Sequence, residues 1–239
     1  MRVDTADLIE RIAERPAEAG LLLDVDGTLA PIVARPEDAS VPEQTRALLR
    51  ELAARYALVA CVSGRTEDDA RRVVGVAGLV YVGEHGLGLD PRAGEWRAQL
   101  EELVAGAGRP AEWKKFSVAF HYRTDKDEQA AIAELRRIME RALELGLRAR
   151  WGRKVLEVLP PVDVDKGTAV RALLAERGLR RGLYAGDDAT DLDAFRGLDG
   201  LALAVRVAVV SEEGPSELGA AADVVVNGTE PLVELLRRL

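Results

Sequence analysis

Two aspartates, Asp24 and Asp26, stand one valine apart at the end of the run LLLDVDGTLAPI (21–32). An apolar run that ends in carboxylates reads as a buried strand delivering them to the edge of a sheet. An aspartate placed there can attack phosphorus itself and carry the phosphoryl group as an aspartyl-phosphate. Its near neighbour can protonate the leaving oxygen and later activate water. Gly27 lets the backbone turn sharply enough for nearby amides to approach a phosphate. A hydroxyl, Ser63, follows the run ALVACV (57–62), and a second acidic cluster, Asp187, Asp188 and Asp191, follows GLYAG (182–186).

Carboxylates gathered at one place repel one another unless a hard cation lies between them, and Mg²⁺ takes such oxygens in octahedral geometry while keeping several waters. With Mg²⁺ the natural chemistry is phosphoryl transfer, in which positioning and charge neutralisation carry most of catalysis.

The elements that must position these groups are short apolar runs alternating with amphipathic helices. Strands are expected at 21–24, 57–62, 79–83, 182–186, 201–205 and 223–226, and helices at 42–56, 66–76 and 166–178. Thr66 can cap the second helix. Continuous apolar runs suit strands covered on both faces, so the pattern predicts an α/β fold with a doubly wound, mostly parallel, Rossmann-like sheet. Ligands of such sheets bind beyond the carboxyl ends of the strands. Asp24, Ser63, the stretch Gly83-Glu84-His85-Gly86 and the pair Asp187-Asp188 therefore converge on one edge.

The pattern changes over 87–164. SVAFHYR (117–123) alternates, with Val118, Phe120 and Tyr122 on one face and Ser117, Ala119, His121 and Arg123 on the other. A helix is expected from about Asp125 to Leu145, with Thr124 and Asp127 resembling a capping box and Gly146 as the stop. LRARW and KVLEVLP read as a hairpin turning at Trp151-Gly152-Arg153. The expected organisation is a discontinuous core, 1–86 and 165–239, with a smaller inserted α+β domain, 87–164.

Composition excludes other classes. The net charge of −8 argues against nucleic acid, which demands a basic face. Cys61 is the only cysteine, so neither an internal disulfide nor a cysteine zinc site can form. MRVDTADLIER reads as helical, without a leader's apolar region, and LALAVRVAVV is too short to span a bilayer. A cytoplasmic protein with no membrane association is the expectation, as a monomer.

DVDGTLAPI, SGR (63–65), Lys166-Gly167 opening a helix, and GDDATD (186–191) resemble, in order and spacing, the four motifs of the haloacid dehalogenase superfamily of phosphatases. The inserted domain resembles that of its C2-cap members. More narrowly, GEHG, SVAFHYR, VLEVLPPVDVDKG and GDDATDLDAF are similar to the trehalose-6-phosphate phosphatases. The resemblance implies Asp24 as nucleophile and Asp26 as general acid/base. It implies Mg²⁺ held by Asp24, the Asp26 carbonyl and Asp187, with Asp188 or Asp191 reached directly or through water. Ser63, Gly64 and Lys166 would bind phosphoryl oxygens. Lysine is scarce here, five in the chain, and Lys166 at a helix start opposes the dipole preference, which a bound anion would explain. Glu84, His85, Lys114 or Lys115, His121, Arg123 and Glu157 would contact the sugar, with the cap closing over it. After GEHG, members of that family often carry a small residue and then an acid, whereas this chain reads Leu87-Gly88 and departs from the pattern there. Arg65 reads as a structural partner of Glu67 or Asp68, with substrate binding as the alternative, and the three tryptophans as packing residues, with sugar-stacking platforms as theirs.

The expected substrate is trehalose 6-phosphate. Rivals are phosphatases for sucrose 6-phosphate, mannosylglycerate phosphate or glucosylglycerol phosphate, a phosphomutase, and a non-catalytic sugar-phosphate sensor. A trehalose-6-phosphate synthase is the candidate protein partner.

Overall fold

The computed structural model describes residues 5–33, 35–152, 154–212 and 214–239. The first four residues of the expected N-terminal helix and Arg153 of the expected hairpin turn lie outside the described residues. The chain divides into two compact units, 1–86 with 165–239, and 87–164.

The larger unit begins with α1 (Thr5–Ala13), β1 (Ala19–Leu23), α2 (Glu43–Arg55), β2 (Leu58–Val62), α3 (Glu67–Val74) and β3 (Val80–Val82). The smaller unit holds α4 (Arg97–Gly106), β4 (Glu112–Trp113), β5 (Val118–His121), α5 (Glu128–Glu144), β6 (Arg148–Gly152) and β7 (Val155–Leu159). The chain then returns to the larger unit with α6 (Lys166–Glu176), β8 (Arg181–Gly186), α7 (Asp191–Gly197), β9 (Leu203–Val210), α8 (Ser216–Ala221), β10 (Val224–Asn227) and α9 (Thr229–Leu236).

The larger unit's sheet is parallel throughout, in the order β10-β9-β8-β1-β2-β3. Every residue of β1 and β2 is buried, as a sheet covered on both faces requires. The two-residue period of a strand sends Leu21 and Leu23 to one face, among side chains of α1, α2, α3 and α9. Leu22 goes to the other, against α6, α7 and α8. Apolar area buried on both faces, at about 25 cal/mol per Å², fixes the register that aims each strand's last residue.

One expectation about this sheet is corrected. The strand expected at 201–205 runs on to Val210 through Arg206. Arg206 does not end it because its guanidinium reaches Asp199 at 2.7 Å and Asp223 at 3.3 Å, so the charge is paired beside the strand. Helices α7, α8 and α9 were not resolved from sequence.

The smaller unit's sheet is antiparallel, β4-β5-β7-β6. Val118, Phe120, Leu156 and Val158 face α4 and α5 in one apolar cluster. Helix α5 starts at Glu128 rather than near Asp125, because the Asp127 carboxylate caps it, accepting the Ala130 N–H at 2.9 Å. Gly146, at φ +77°, ends it. The face of β5 that carries Ser117, Ala119 and His121 is mixed: Ser117 and Ala119 are buried, while His121 is exposed. Arg123 lies beyond the end of β5.

Candidate active site

The sheet order makes β1 the point at which the chain reverses direction. It steps outward from β1 to β2 and β3, then comes back to β8 on the other side of β1. A crevice opens at such a reversal beyond the carboxyl ends of the strands. Asp24 follows β1, Ser63 follows β2, Gly83 follows β3 and Asp187 follows β8. The Asp24 N–H still donates to Ala185 O at 2.9 Å, so the nucleophile candidate is held by the last rung of the ladder. The chain then turns tightly, with Leu29 and Ala30 N–H both donating to Val25 O.

Asp24, Asp187 and Asp191 are buried, each offering a carboxylate oxygen within 4.8 Å of the others. Lys166, the first residue of α6, points its ammonium among them, 2.9 Å from Asp24 Oδ1 and 2.7 Å from Asp191 Oδ1. The anion expected to explain a lysine at this helix start is therefore supplied by the protein's own carboxylates. Asp191 is engaged on both oxygens. Oδ1 also accepts the Tyr184 hydroxyl at 2.7 Å, and Oδ2 accepts the N–H groups of Asp187 and Asp188, each at 2.8 Å. It thereby fixes the turn that presents Asp187. Asp188 is half-buried and its Oδ1 accepts the next residue's N–H at 2.7 Å, and it is not part of the three-carboxylate group.

The electrostatics of this group are unbalanced. Three carboxylates face one ammonium. Burial pushes the Asp24 carboxyl well above the ordinary carboxylate range, Lys166 opposes that rise, and Asp191 and Asp187 add to it. Burial alone would pull the Lys166 ammonium down, but Asp191 and Asp24 outweigh it and hold its pKa above the ordinary lysine value. Burial, and then the same aspartates, push the Tyr184 hydroxyl up. A buried group with excess carboxylate oxygens is the donor set a hard divalent cation takes. The backbone is cut to fit it: Gly27 sits at φ +78°, and a Cβ there would come within 2.0 Å of Asp187 Oδ2.

Asp26 points elsewhere. Its two oxygens are gripped by one guanidinium, Arg65 Nε at 2.6 Å from Oδ2 and Nη2 at 2.8 Å from Oδ1. Arg65 also pairs with Asp69 and donates to Pro36 O at 3.1 Å. Arg65 was expected to pair with Glu67 or Asp68. Helical geometry instead brings forward Asp69, four residues on, and the fold brings forward Asp26.

Ser63 and Gly64 lie in a loop knitted to the stretch after β3. Glu84 N–H donates to Arg65 O at 2.7 Å, and His85 N–H to Ser63 O at 2.9 Å. Glu84 and His85 are buried in left-handed conformation, at φ +47° and +56°. Such residues cost roughly 1–3 kcal/mol each and persist where surrounding structure enforces them. Gly64 is part of that enforcement, since a Cβ there would lie 2.6 Å from His85 Nε2.

In the smaller unit, Glu157 of β7 is the centre of a charged group on the sheet face away from the helices. Its Oε1 accepts Lys114 Nζ at 2.6 Å, and its Oε2 accepts Arg150 Nε and Nη2 at 2.9 and 2.7 Å. His121 Nε2 lies 2.5 Å from Glu112 Oε2. Of the adjacent lysines, Lys114 is the one that reaches Glu157, while Lys115 lies over the Phe116 ring. Leu87 is buried with Ala93, Leu159 and Val162, so its position serves packing. Trp113 lies under the Arg97 guanidinium and Trp151 edge-on to Tyr122.

Sequence reasoning missed Tyr184, Asp69, Glu112 and Arg150. Only Arg150 carried a readable signal: the hairpin register pairs it with Glu157, opposite charges directly across two strands.

The Trehalose-phosphatase family model matches residues 22–107 and 105–224. An uncharacterized glycosyl hydrolase of Mycobacterium tuberculosis is 41% identical over 207 residues, covering 76% of this chain and 15% of that protein. A probable trehalose-phosphate phosphatase of Oryza sativa subsp. japonica is 35% identical over 220 residues, covering 74% of this chain and 58% of that protein. The chain thus spans less than two thirds of either relative. Among solved structures, the C-terminal domain of the C. albicans trehalose-6-phosphate phosphatase shares the fold, with a TM-score of 0.78 at 20% identity over 98% of this chain and 96% of that one.

Proposed function

This chain belongs to the trehalose-phosphatase family, a branch of the haloacid dehalogenase superfamily, and on that premise we propose that it hydrolyses trehalose 6-phosphate to trehalose and inorganic phosphate. The observation that carries the reading is Asp24, buried at the end of β1 with Lys166 on its Oδ1 and Asp187 beside it. A binding module has no use for a buried carboxylate held this way, whereas a phosphoryl acceptor needs it.

In this reading the Asp24 carboxylate attacks phosphorus and the bond to the sugar oxygen breaks. Asp26 gives that oxygen its proton, so trehalose leaves neutral. Asp26 then takes a proton from water, which attacks the aspartyl-phosphate, frees Asp24 and yields inorganic phosphate. Lys166, the Ser63 hydroxyl and the Gly64 N–H neutralise the phosphoryl oxygens, in a site dry enough for those contacts to count.

Asp24, Asp187 and the Asp26 carbonyl would hold Mg²⁺, and Asp188 is a candidate to reach it through water. The bound cation would supply charge neutralisation for the phosphoryl group. Asp191 serves in this account as the organiser of Lys166 and of the turn at Asp187. Glu84, His85, Lys114, His121, Arg123 and Glu157 are the proposed sugar contacts. No described helix is long and apolar enough to cross a membrane.

The test is phosphate release from trehalose 6-phosphate with Mg²⁺, beside sucrose 6-phosphate, glucose 6-phosphate and p-nitrophenyl phosphate, with EDTA and Asp24→Asn as controls. The reading expects kcat/KM at least ~100-fold higher for trehalose 6-phosphate than for the other sugar phosphates, about 2.7 kcal/mol of discrimination. Equal turnover of all three sugar phosphates would remove trehalose 6-phosphate as the substrate.

A further inference from the structure

We propose that Arg65 is a positioning residue for the reaction, a fixed pivot that sets where the Asp26 carboxylate points. The proposal rests on reading Asp26 as the proton donor and acceptor.

A guanidinium that meets both oxygens of a carboxylate in parallel fixes the plane and direction of that carboxylate, which a single contact does not. Arg65 does this with Nε and Nη2 at 2.6 and 2.8 Å. Its remaining contacts make it the stationary member of the pair. Nη1 pairs with Asp69, which Arg72 holds in turn at 2.9 and 2.7 Å, and Nη2 also donates to Pro36 O at 3.1 Å. The Arg65 backbone is pinned as well, its N–H donating to Ser63 Oγ at 3.2 Å and its carbonyl accepting from Glu84 at 2.7 Å. Asp69 belongs to the first turn of α3, whose cap, Thr66, accepts the Asp69 N–H at 3.3 Å. The guanidinium is thus tied to a helix and two loops.

Exposure divides the pair in the same sense. The Arg65 side chain is 11% exposed and that of Asp26 35%. The carboxylate is the member with room to move. Both of its oxygens are on Arg65, each keeps a second lone pair for a sugar oxygen or a water, and one can also swing off its arm towards them. The two-pronged hold allows that while the other oxygen stays, and the carboxylate returns to the same place after each proton transfer. Misplacing a general acid by about 1 Å can cost on the order of 100-fold in rate.

A merely structural ion pair, stapling the turn after β1 to α3, would act on every substrate alike. The experiment separates the two by leaving group. p-Nitrophenolate departs without a proton, whereas the sugar alkoxide needs one, and kcat/KM reports only the steps through cleavage of the phosphate ester. With Mg²⁺ present, kcat/KM is measured for trehalose 6-phosphate and p-nitrophenyl phosphate in the parent, Arg65→Gln, Arg65→Lys, Asp26→Ala and the Arg65→Gln/Asp26→Ala pair. The expected result is a loss of at least ~30-fold on trehalose 6-phosphate for Arg65→Gln, against less than about threefold on p-nitrophenyl phosphate. Arg65→Lys, which keeps the charge and loses the fork, falls between the parent and Arg65→Gln. In the Asp26→Ala background Arg65→Gln adds nothing beyond about twofold, because its effect runs through Asp26. Should Arg65→Gln fail to fold by thermal melt, Arg65→Lys carries the same comparison. Equal losses on both substrates, or losses that multiply with Asp26→Ala, would overturn the pivot. A damaged Asp26→Ala beside an unaffected Arg65→Gln would overturn it alone, and an Asp26→Ala with full activity would overturn the reading of Asp26 along with it.

Discussion

The ammonium of Lys166 stands 2.9 Å from Asp24 Oδ1, with side chains 2% and 7% exposed. Buried charges in contact cost desolvation that their attraction offsets, and Lys166 meets Asp191 as well as Asp24, so removing the ammonium leaves those buried carboxylates facing one another. Lys166→Met should destabilise the metal-free protein by about 3–5 kcal/mol and lower turnover at least ~100-fold. Urea melts in EDTA and phosphate release in Mg²⁺ measure the two effects. Wild-type stability in Lys166→Met would mean that the pair does not hold Asp24.

Mg²⁺ should stabilise the protein, and more so at neutral than at acid pH. The Asp24 carboxyl has a folded-state pKa raised above its ordinary 3.8, so the folded protein holds that proton more tightly than the unfolded chain. The stability this contributes is full below the unfolded value and is lost as pH rises through the folded one. Asp24's own contribution to the stability of the metal-free protein therefore falls as pH rises, and the cation offsets that loss. At about 100 times its Kd, Mg²⁺ adds about 2.7 kcal/mol. Thermal melts followed upward in pH from the ordinary Asp value of 3.8, with Mg²⁺ and with EDTA, should diverge as pH rises, and Asp24→Asn should flatten the divergence. Parallel curves would contradict this charge balance.

Gly27→Ala should uncouple Asp187 from the site. The added methyl meets Asp187 Oδ2 at 2.0 Å, and φ +78° adds strain of roughly 1–2 kcal/mol. Mg²⁺ affinity, read by the shift in thermal midpoint, should fall by at least ~10-fold. Unchanged Mg²⁺ affinity would show that Asp187 is not a ligand.

How much of this was legible in the sequence depends on the range of the interaction. The parallel sheet was, because β1 and β2 are buried on both faces and so read as unbroken apolar runs that end at Asp24 and Ser63. The placement of Lys166 near Asp24 followed from motif order rather than from any local pattern, and its contact with Asp191 followed from neither. The partner of Arg65 was not legible: Glu67 and Asp68 are nearer in sequence, while Asp26 is 39 residues away and met only through the β1–β2 pairing. Tyr184 looked like one more apolar strand residue, since nothing in GLYAG announces that its hydroxyl will find a carboxylate. Strand β9 reaches past the apolar run at 201–205 because Asp199 and Asp223 pair the Arg206 charge and allow the strand to continue.

In the smaller unit, Glu157→Ala should take from Lys114 and Arg150 the carboxylate they share on one sheet face. With Lys114 8% and Arg150 27% exposed, part of the cost is screened, and a loss of about 1–3 kcal/mol is expected. If this face contacts the sugar, kcat/KM for trehalose 6-phosphate should fall at least ~10-fold, with that for p-nitrophenyl phosphate nearly unchanged. Equal effects on both substrates would assign Glu157 to structure alone.

The central claim is that Asp24 carries the phosphoryl group, and trapping it there tests that claim most directly. Asp26→Asn, with Mg²⁺ and p-nitrophenyl phosphate, should load Asp24 quickly and release phosphate slowly, because only the second step still needs a base. Acid quenching, borohydride reduction and peptide mapping by mass spectrometry should then find the reduced acyl group at position 24. Phosphate turnover with no reduced Asp24, or with the label on another residue, would contradict the account.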